Sequence, residues 1–246
     1  MTEYLLLAIA AFFAGMLNTV AGGGTFLTFP ALVYTGVPLV AANATSAVAV
    51  FPGYLGGAAG FRGEIRALNR CMLLRAVAAT AAGGLVGSLL LLVSSNEAFA
   101  AVVPFLLALA TLVFAFGDRL RNVMEKHATG AGYVGTIAVA VYGGYFNGGL
   151  GIMLLALFSL WGMRDLNQMN GLKNGLSFVV SAISVATFAA AGLVAWPQAV
   201  VMMAAATIGG YLGAPVARAL PAWMVRAGVI AVGSAMSAAF FWRLVA

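Results

Sequence analysis

The sequence predicts an all-α polytopic membrane protein made of two inverted repeats, each a broken or re-entrant helical hairpin plus three spanning helices. Three observations predict it. Hydrophobic residues make up 63% and charged residues 7% of the 246 positions, where a soluble globular chain carries about 25% charge. No single soluble core of this length hides so much apolar surface, so lipid is the solvent. Apolar runs bounded by Gly, Pro, Asn or charge recur along the whole chain, and glycines recur in register between its halves.

In chain order the runs are 4–20, 25–36, 42–61, 71–93, 97–117, 131–147, 149–162, 170–192, 197–217 and 222–244. They give about 8–10 membrane segments. The stretch 1–13 has no Lys or Arg, which the n-region of a secretory signal peptide needs, so the first run is expected to be retained. The second and seventh runs are short. They reach about 18–21 Å at 1.5 Å per residue, against a hydrocarbon core of about 30 Å. Each is expected to pair with the run before it as a bent hairpin that dips into the membrane and returns. The fourth run opens with Cys71, the single cysteine, which excludes an internal disulfide and has no metal-ligand spacing around it. It reads as a small apolar residue at a helix start.

Charge gives the sidedness. The net charge of +6 and a pI near 9.9 raise the question of nucleic acid. The positions answer it: Arg62, Arg66, Arg70 and Arg75 cluster at one junction, and Arg119, Arg121 and Lys126 at another. No stacking aromatic platform interleaves them, so they mark cytoplasmic loops and no nucleic-acid partner is expected. The turns "SSNE" (94–97) and "GLVAWPQ" (192–198) lack Lys and Arg and belong outside, while Arg164 and Arg218 fall inside. Both termini then lie outside, with Arg243 the one dissenting charge. The first hairpin enters from outside and the second from the cytoplasm. The first repeat covers 1–117, a cytoplasmic linker 118–130, and the second repeat 131–246.

The duplication is visible in glycine and asparagine. Gly15, Asn18 and Gly22 recur 129 positions later as Gly144, Asn147 and Gly151, and Gly63 as Gly192. "GGLVG" (Gly83, Gly84, Gly87) recurs as "GGYLG" (Gly209, Gly210, Gly213) at an offset of 126. Two similar halves of opposite sidedness are a common plan of secondary transporters.

"NTVAGGGTFLTFP" (18–30) and "NGGLGIM" (147–153) are equivalent breaks in the two halves. Irregular backbone at membrane depth is tolerated only where it is buried in protein or lines a cavity. Short, Gly-interrupted segments at matching positions point to a binding site. The helix that starts after each break offers free N–H groups and partial positive charge, which favours an anion. The residues singled out are Asn18, Gly22, Gly23, Gly24 and Thr25, with Asn147, Gly148, Gly149 and Gly151. The competing reading, glycine as a close-packing device, is preferred for Gly83, Gly84, Gly87 and their repeat partners. No Gly-Lys-Ser/Thr follows, so a phosphate loop is not indicated.

"AGGGTFLTFPALVYTGVPLVAANATSAVAV" (21–50), echoed by "GGLGIMLLALFSLWGMRDLNQMNGLKNGLS" (148–177), resembles the sulfite exporter TauE/SafE family over nearly the whole chain. The resemblance implies a duplicated helical membrane protein that moves small anions containing sulfur, such as sulfite or sulfonates. The second half departs from the motif: Ile152 and Met153 follow Gly151, and no proline matches Pro30.

Polar residues inside the apolar runs complete the candidates. Lys173, in "NGLKNGLS", stands within the eighth run near its repeat counterparts Ala44 and Thr45. An intramembrane lysine marks a site by default, and snorkelling to the nearby cytoplasmic end is the alternative. Asn43, Thr45, Ser46, Asn170 and Asn174 flank these positions and can donate to anion oxygens or join helices. All six acids (Glu3, Glu64, Glu97, Asp118, Glu125, Asp165) and the one histidine, His127, fall at run ends or in loops. An intramembrane enzyme would need a metal cluster, a Ser-His pair or paired carboxylates, so neither catalysis nor a cofactor or metal is expected. The expected partners are a small anionic substrate and the lipid of the cell's inner (plasma) membrane, and a homodimer is compatible with the reading. A transporter of another small solute, or a structural or sensory membrane protein, stands as the alternative.

Overall fold

The computed structural model of the chain describes residues 2–20, 23–125, 132–219 and 222–245. Among the described residues all regular structure is helical. Gly22, Lys126 and His127 lie outside them. The elements are α1 (Thr2–Val20), α2 (Thr25–Tyr34), α3 (Leu39–Gly60), α4 (Arg62–Arg66), α5 (Arg70–Val93), α6 (Asn96–Glu125), α7 (Tyr133–Tyr145), α8 (Leu150–Leu160), α9 (Leu166–Ala190), α10 (Trp196–Ala219) and α11 (Ala222–Val245). Four helical stretches among them are long and apolar enough to cross a membrane: Leu39–Gly60, Arg70–Val93, Asn96–Val113 and Asn167–Ala190.

Local chemistry sets several of these ends. Asn69 caps α5, its Oδ1 accepting from Cys71 N and Met72 N at 2.9 and 3.2 Å. Asp165 caps α9 in the same way, through Asn167 N and Gln168 N at 2.8 and 3.3 Å. These caps satisfy N–H groups that a helix leaves orphaned. The cap at Asp165 corrects the expected start of the eighth run from 170 to Leu166, because a polar first turn extends the helix below its apolar stretch. Two other bounds differ. The junction after α3 forms the five-residue α4, and α6 continues beyond 117 to Glu125.

Helix α3 is the axis of the fold, with residues 42–50 buried without a gap. It lies against α9, where Phe51 stacks on Phe178 at 5.0 Å and Asn174 rests on Gly57. The contacts step in opposite directions, so α3 and α9 run antiparallel. Glycine brings the outer pairs together. Gly83 meets Ile137 and Ala140 at 2.6 and 2.7 Å from where a Cβ would stand, Gly87 meets Val141 and Tyr145, and Gly144 meets Gly84. Both chains advance together, so α5 and α7 run parallel. Gly15 packs on Ala206 and Gly209 on Phe12, which joins α1 to α10. The packing role expected of Gly83, Gly84 and Gly209 is what these contacts describe.

Further pairs include α6 with α11, α5 with α9, α3 with α10, α6 with α8 and α2 with α11, and the short helices α2 and α8 each also pack on the helix before and the helix after. Phe29 ties α2 to this frame, edge-on to Phe146 at 5.7 Å and stacked on Phe240 at 6.0 Å. The molecule has two distinct ends. At one, Val40 N donates to Asn96 Oδ1 (3.1 Å), Ala195 N to Thr45 Oγ1 (3.0 Å), and Ser94 Oγ pairs with Tyr145 OH (3.2 Å). At the other, Phe61 and Ile65 close on Gly171, and the Arg75 guanidinium stands 6.0 Å from the Tyr133 ring centroid. The Arg/Lys-free turns share the first end, and the Arg-rich junction shares the second with the start of α7.

Candidate functional site

The two helix breaks are built differently. In the first, Asn18 Oδ1 accepts from Gly24 N at 2.8 Å, folding the end of α1 onto the start of α2. Phe26 N and Leu27 N bond the carbonyls of Gly23 and Gly24 at 3.1 and 3.0 Å. A Cβ at Gly24 would stand 2.6 Å from the Ala14 carbonyl and 2.7 Å from Asn18 Nδ2. The missing side chain at Gly24 therefore lets α1 approach, a packing demand within the hairpin. Thr25 is buried at the first turn of α2, and Thr28 Oγ1 meets Ser46 Oγ at 2.6 Å.

In the second break, Phe146 is extended (φ −144°, ψ 97°) and Gly149 is left-handed (φ +79°), a conformation that glycine adopts without Cβ strain. Three side chains hold the open backbone. Tyr142 OH donates to the Gly148 carbonyl, and Asn43 Nδ2 donates to the Tyr145 carbonyl at 2.8 Å. Asn147, 4% exposed, accepts from Tyr54 OH at 3.4 Å and donates through Nδ2 to Ser181 Oγ at 3.4 Å. This break is thereby bonded into α3 and α9.

About 12 Å along α9 from Ser181, at 1.5 Å per residue, stands Lys173. It is 3% exposed, and its Nζ donates to Asn170 Oδ1 at 3.1 Å. Its ammonium is inside the protein and away from the surface. Among the described residues no carboxylate pairs with it. A charged side chain at bilayer depth costs about 2.5–3.5 kcal/mol on insertion scales, and a buried cation with a single neutral partner retains most of its capacity for an anion.

The structure thus joins Asn147 to two residues the sequence reading passed over, Tyr54 and Ser181, and groups Asn170, Lys173 and Asn174 at the Arg-rich end. It gives other candidates internal partners. Thr45 holds the Ala195 amide, Ser46 holds Thr28, and Asn18 holds Gly24. Gly148 and Gly151 are buried in the second break, the first bonded through its carbonyl. The signal that finds Ser181 is its spacing from Lys173 on one helix. Tyr54 and Tyr142 carry no such signal, because an aromatic in an apolar run reads as core.

Comparison with known proteins agrees with this architecture. A sequence profile described as "Sulfite exporter TauE/SafE" matches residues 7–240. The chain is 28% identical over 237 residues to a "Probable membrane transporter protein" of Haemophilus influenzae, covering 95% of this chain and 92% of the relative. It is 26% identical over 238 residues to "Probable membrane transporter protein ORF9" of a Sinorhizobium species, covering 94% and 89%. No solved structure matches it. With the match spanning nearly its full length, the chain belongs to the sulfite exporter TauE/SafE family of membrane transporters.

Proposed function

We propose that this transporter carries small oxyanions, sulfur-containing ones such as sulfite or sulfonates, across the plasma membrane by alternating access. The site lies between the second helix break and α9, with Asn147, Asn170 and Lys173 as its polar groups. The observation that carries the reading is Lys173, buried with one neutral partner and no carboxylate among the described residues. Such a cation repels other cations and gives a neutral solute no comparable reward. The names of the family and relatives favour the same solute class.

The same proposal takes the two halves as inverted repeats. Its support is the packing: exchanging α1, α2, α3, α5 and α6 for α7, α8, α9, α10 and α11 turns each major helix pair into another observed pair. α1 with α10 becomes α7 with α5, and α3 with α10 becomes α9 with α5. Labelling tests the sidedness. In a Cys71→Ser background, thiols at Pro38→Cys and Arg164→Cys are expected to react from opposite faces of the membrane; reaction from one face ends the inverted arrangement. Flux into proteoliposomes tests the solute. Sulfite or a sulfonate is expected to enter and an uncharged sulfone is not, and equal flux of the uncharged control defeats the anion reading.

A further inference from the structure

Four polar side chains of α9 are spaced by four, four and three residues: Lys173, Ser177, Ser181 and Ser184. That spacing puts them on one helix face. Contacts of the neighbouring positions fix where the face points. Asn174 and Phe178 turn to α3, and Val180 and Thr187 turn to α5. The stripe lies between them and meets the second hairpin, where Asn147 bonds Ser181. Its members are 0–3% exposed.

Two of the serines share an unmet hydroxyl with Thr80 of α5 and Thr136 of α7, and they alone do so on the face of a lysine. Ser94, Ser159 and Ser237, like Thr111, Thr187 and Thr207, return their hydroxyls to the carbonyl four residues back. Ser177 and Ser184 do not, and each Oγ is buried with no partner. An unmade buried hydrogen bond costs about 1–3 kcal/mol. Packing does not demand these hydroxyls either. At the offset of 129, the matching positions of α3 are Ala44, Val48, Pro52 and Leu55, all apolar.

We propose that this stripe is an anion track. Lys173 takes the anion at the Arg-rich end, and the hydroxyls of Ser177, Ser181 and Ser184 pass it about 16 Å along α9 at 1.5 Å per residue. Conduction needs sites that attract an ion yet release it, and several weak sites serve better than one strong one. One ammonium followed by neutral donors meets that need. Side chains one turn apart stand about 5–6 Å from each other at Cβ, so the occupant is a small oxyanion whose several acceptor oxygens bridge consecutive hydroxyls. The track rests on the anion reading above and adds its route and donors.

Thiol labelling tests it without needing a transported solute. In a Cys71→Ser background, Ser177→Cys and Ser184→Cys change one atom each and are expected to melt near the parent temperature. Both thiols are expected to react about tenfold faster with a sulfonate-bearing methanethiosulfonate than with its trimethylammonium counterpart, as a field of one sign steers charged reagents. Lys173→Met is expected to erase the preference. Ser159→Cys, equally buried but outside the stripe, is expected to stay unreactive. Silence at positions 177 and 184, or equal rates for the two reagents with Lys173 present, overturns the track. If the charge preference holds while neither sulfite nor a sulfonate crosses, the track stands and the solute assignment fails.

Discussion

The first helix break closes on itself, and the second is held open by its neighbours. Asn18 and Asn147 stand 129 positions apart beside similar glycine clusters, yet Asn18 bonds the hairpin's own Gly24, whereas Asn147 bridges Tyr54 of α3 and Ser181 of α9. Gly24 is small because α1 presses on it, and Gly149 is glycine because its backbone is left-handed. Lys173 deepens the contrast, since near its counterpart in the first half Thr45 is occupied with the Ala195 amide. Among the described residues the glycine packing recurs in both halves, whereas α9 alone carries a lysine with two unpartnered serines on one face.

Substitutions can break this comparison, and the largest effect is expected at Gly149. A valine there combines a left-handed backbone with a Cβ 2.8 Å from Ala110 Cβ, and the left-handed conformation alone costs about 1–2 kcal/mol. Gly149→Val is expected to abolish recovery of folded protein, read by size-exclusion yield. Next, Asn147→Ala strips partners from Tyr54 and Ser181 together. Flux per folded molecule is expected to fall about tenfold or more, with each lost buried bond worth about 1–3 kcal/mol. Asn18→Ala is expected to lower the melting temperature while leaving flux per folded molecule unchanged. A fall in flux equal to that of Asn147→Ala would show both breaks to be ligand sites. The smallest effect is expected at Gly84→Ala, whose Cβ meets nothing nearer than Val180 Cα at 3.4 Å. Wild-type melting and flux are the expected readings there.

Much of this was legible in the sequence because membrane helices follow from composition. Apolar runs bounded by Gly, Pro and charge locate the helix starts to within a few residues, α9 moving by four because Asp165 caps a polar first turn. Helix α6 runs eight residues past its apolar run, from 117 to Glu125. The two breaks were legible as glycine clusters out of place in lipid. Their difference was not, because it depends on partners far along the chain: Asn147 and Ser181 are 34 residues apart, and Tyr54 and Asn147 are 93. Lys173 was legible as a lysine in an apolar run, but its burial shows only in the folded structure. Ser177 and Ser184 carry no signal in the sequence, because a serine in a helix ordinarily bonds a carbonyl one turn back and only the folded structure leaves these two hydroxyls without one.

The central claim is that Lys173 holds the anion, and calorimetry of sulfite binding to purified protein tests it most directly. A charge-assisted contact is worth about 1.5–3 kcal/mol, which is about ten- to hundredfold in affinity. Lys173→Met is expected to raise the Kd by that factor. Lys173→Arg is expected to fall between, since the charge survives while a planar fork replaces a compact ammonium. A Lys173→Met protein that binds sulfite as tightly as the wild type would contradict the account and return the site to the helix ends alone.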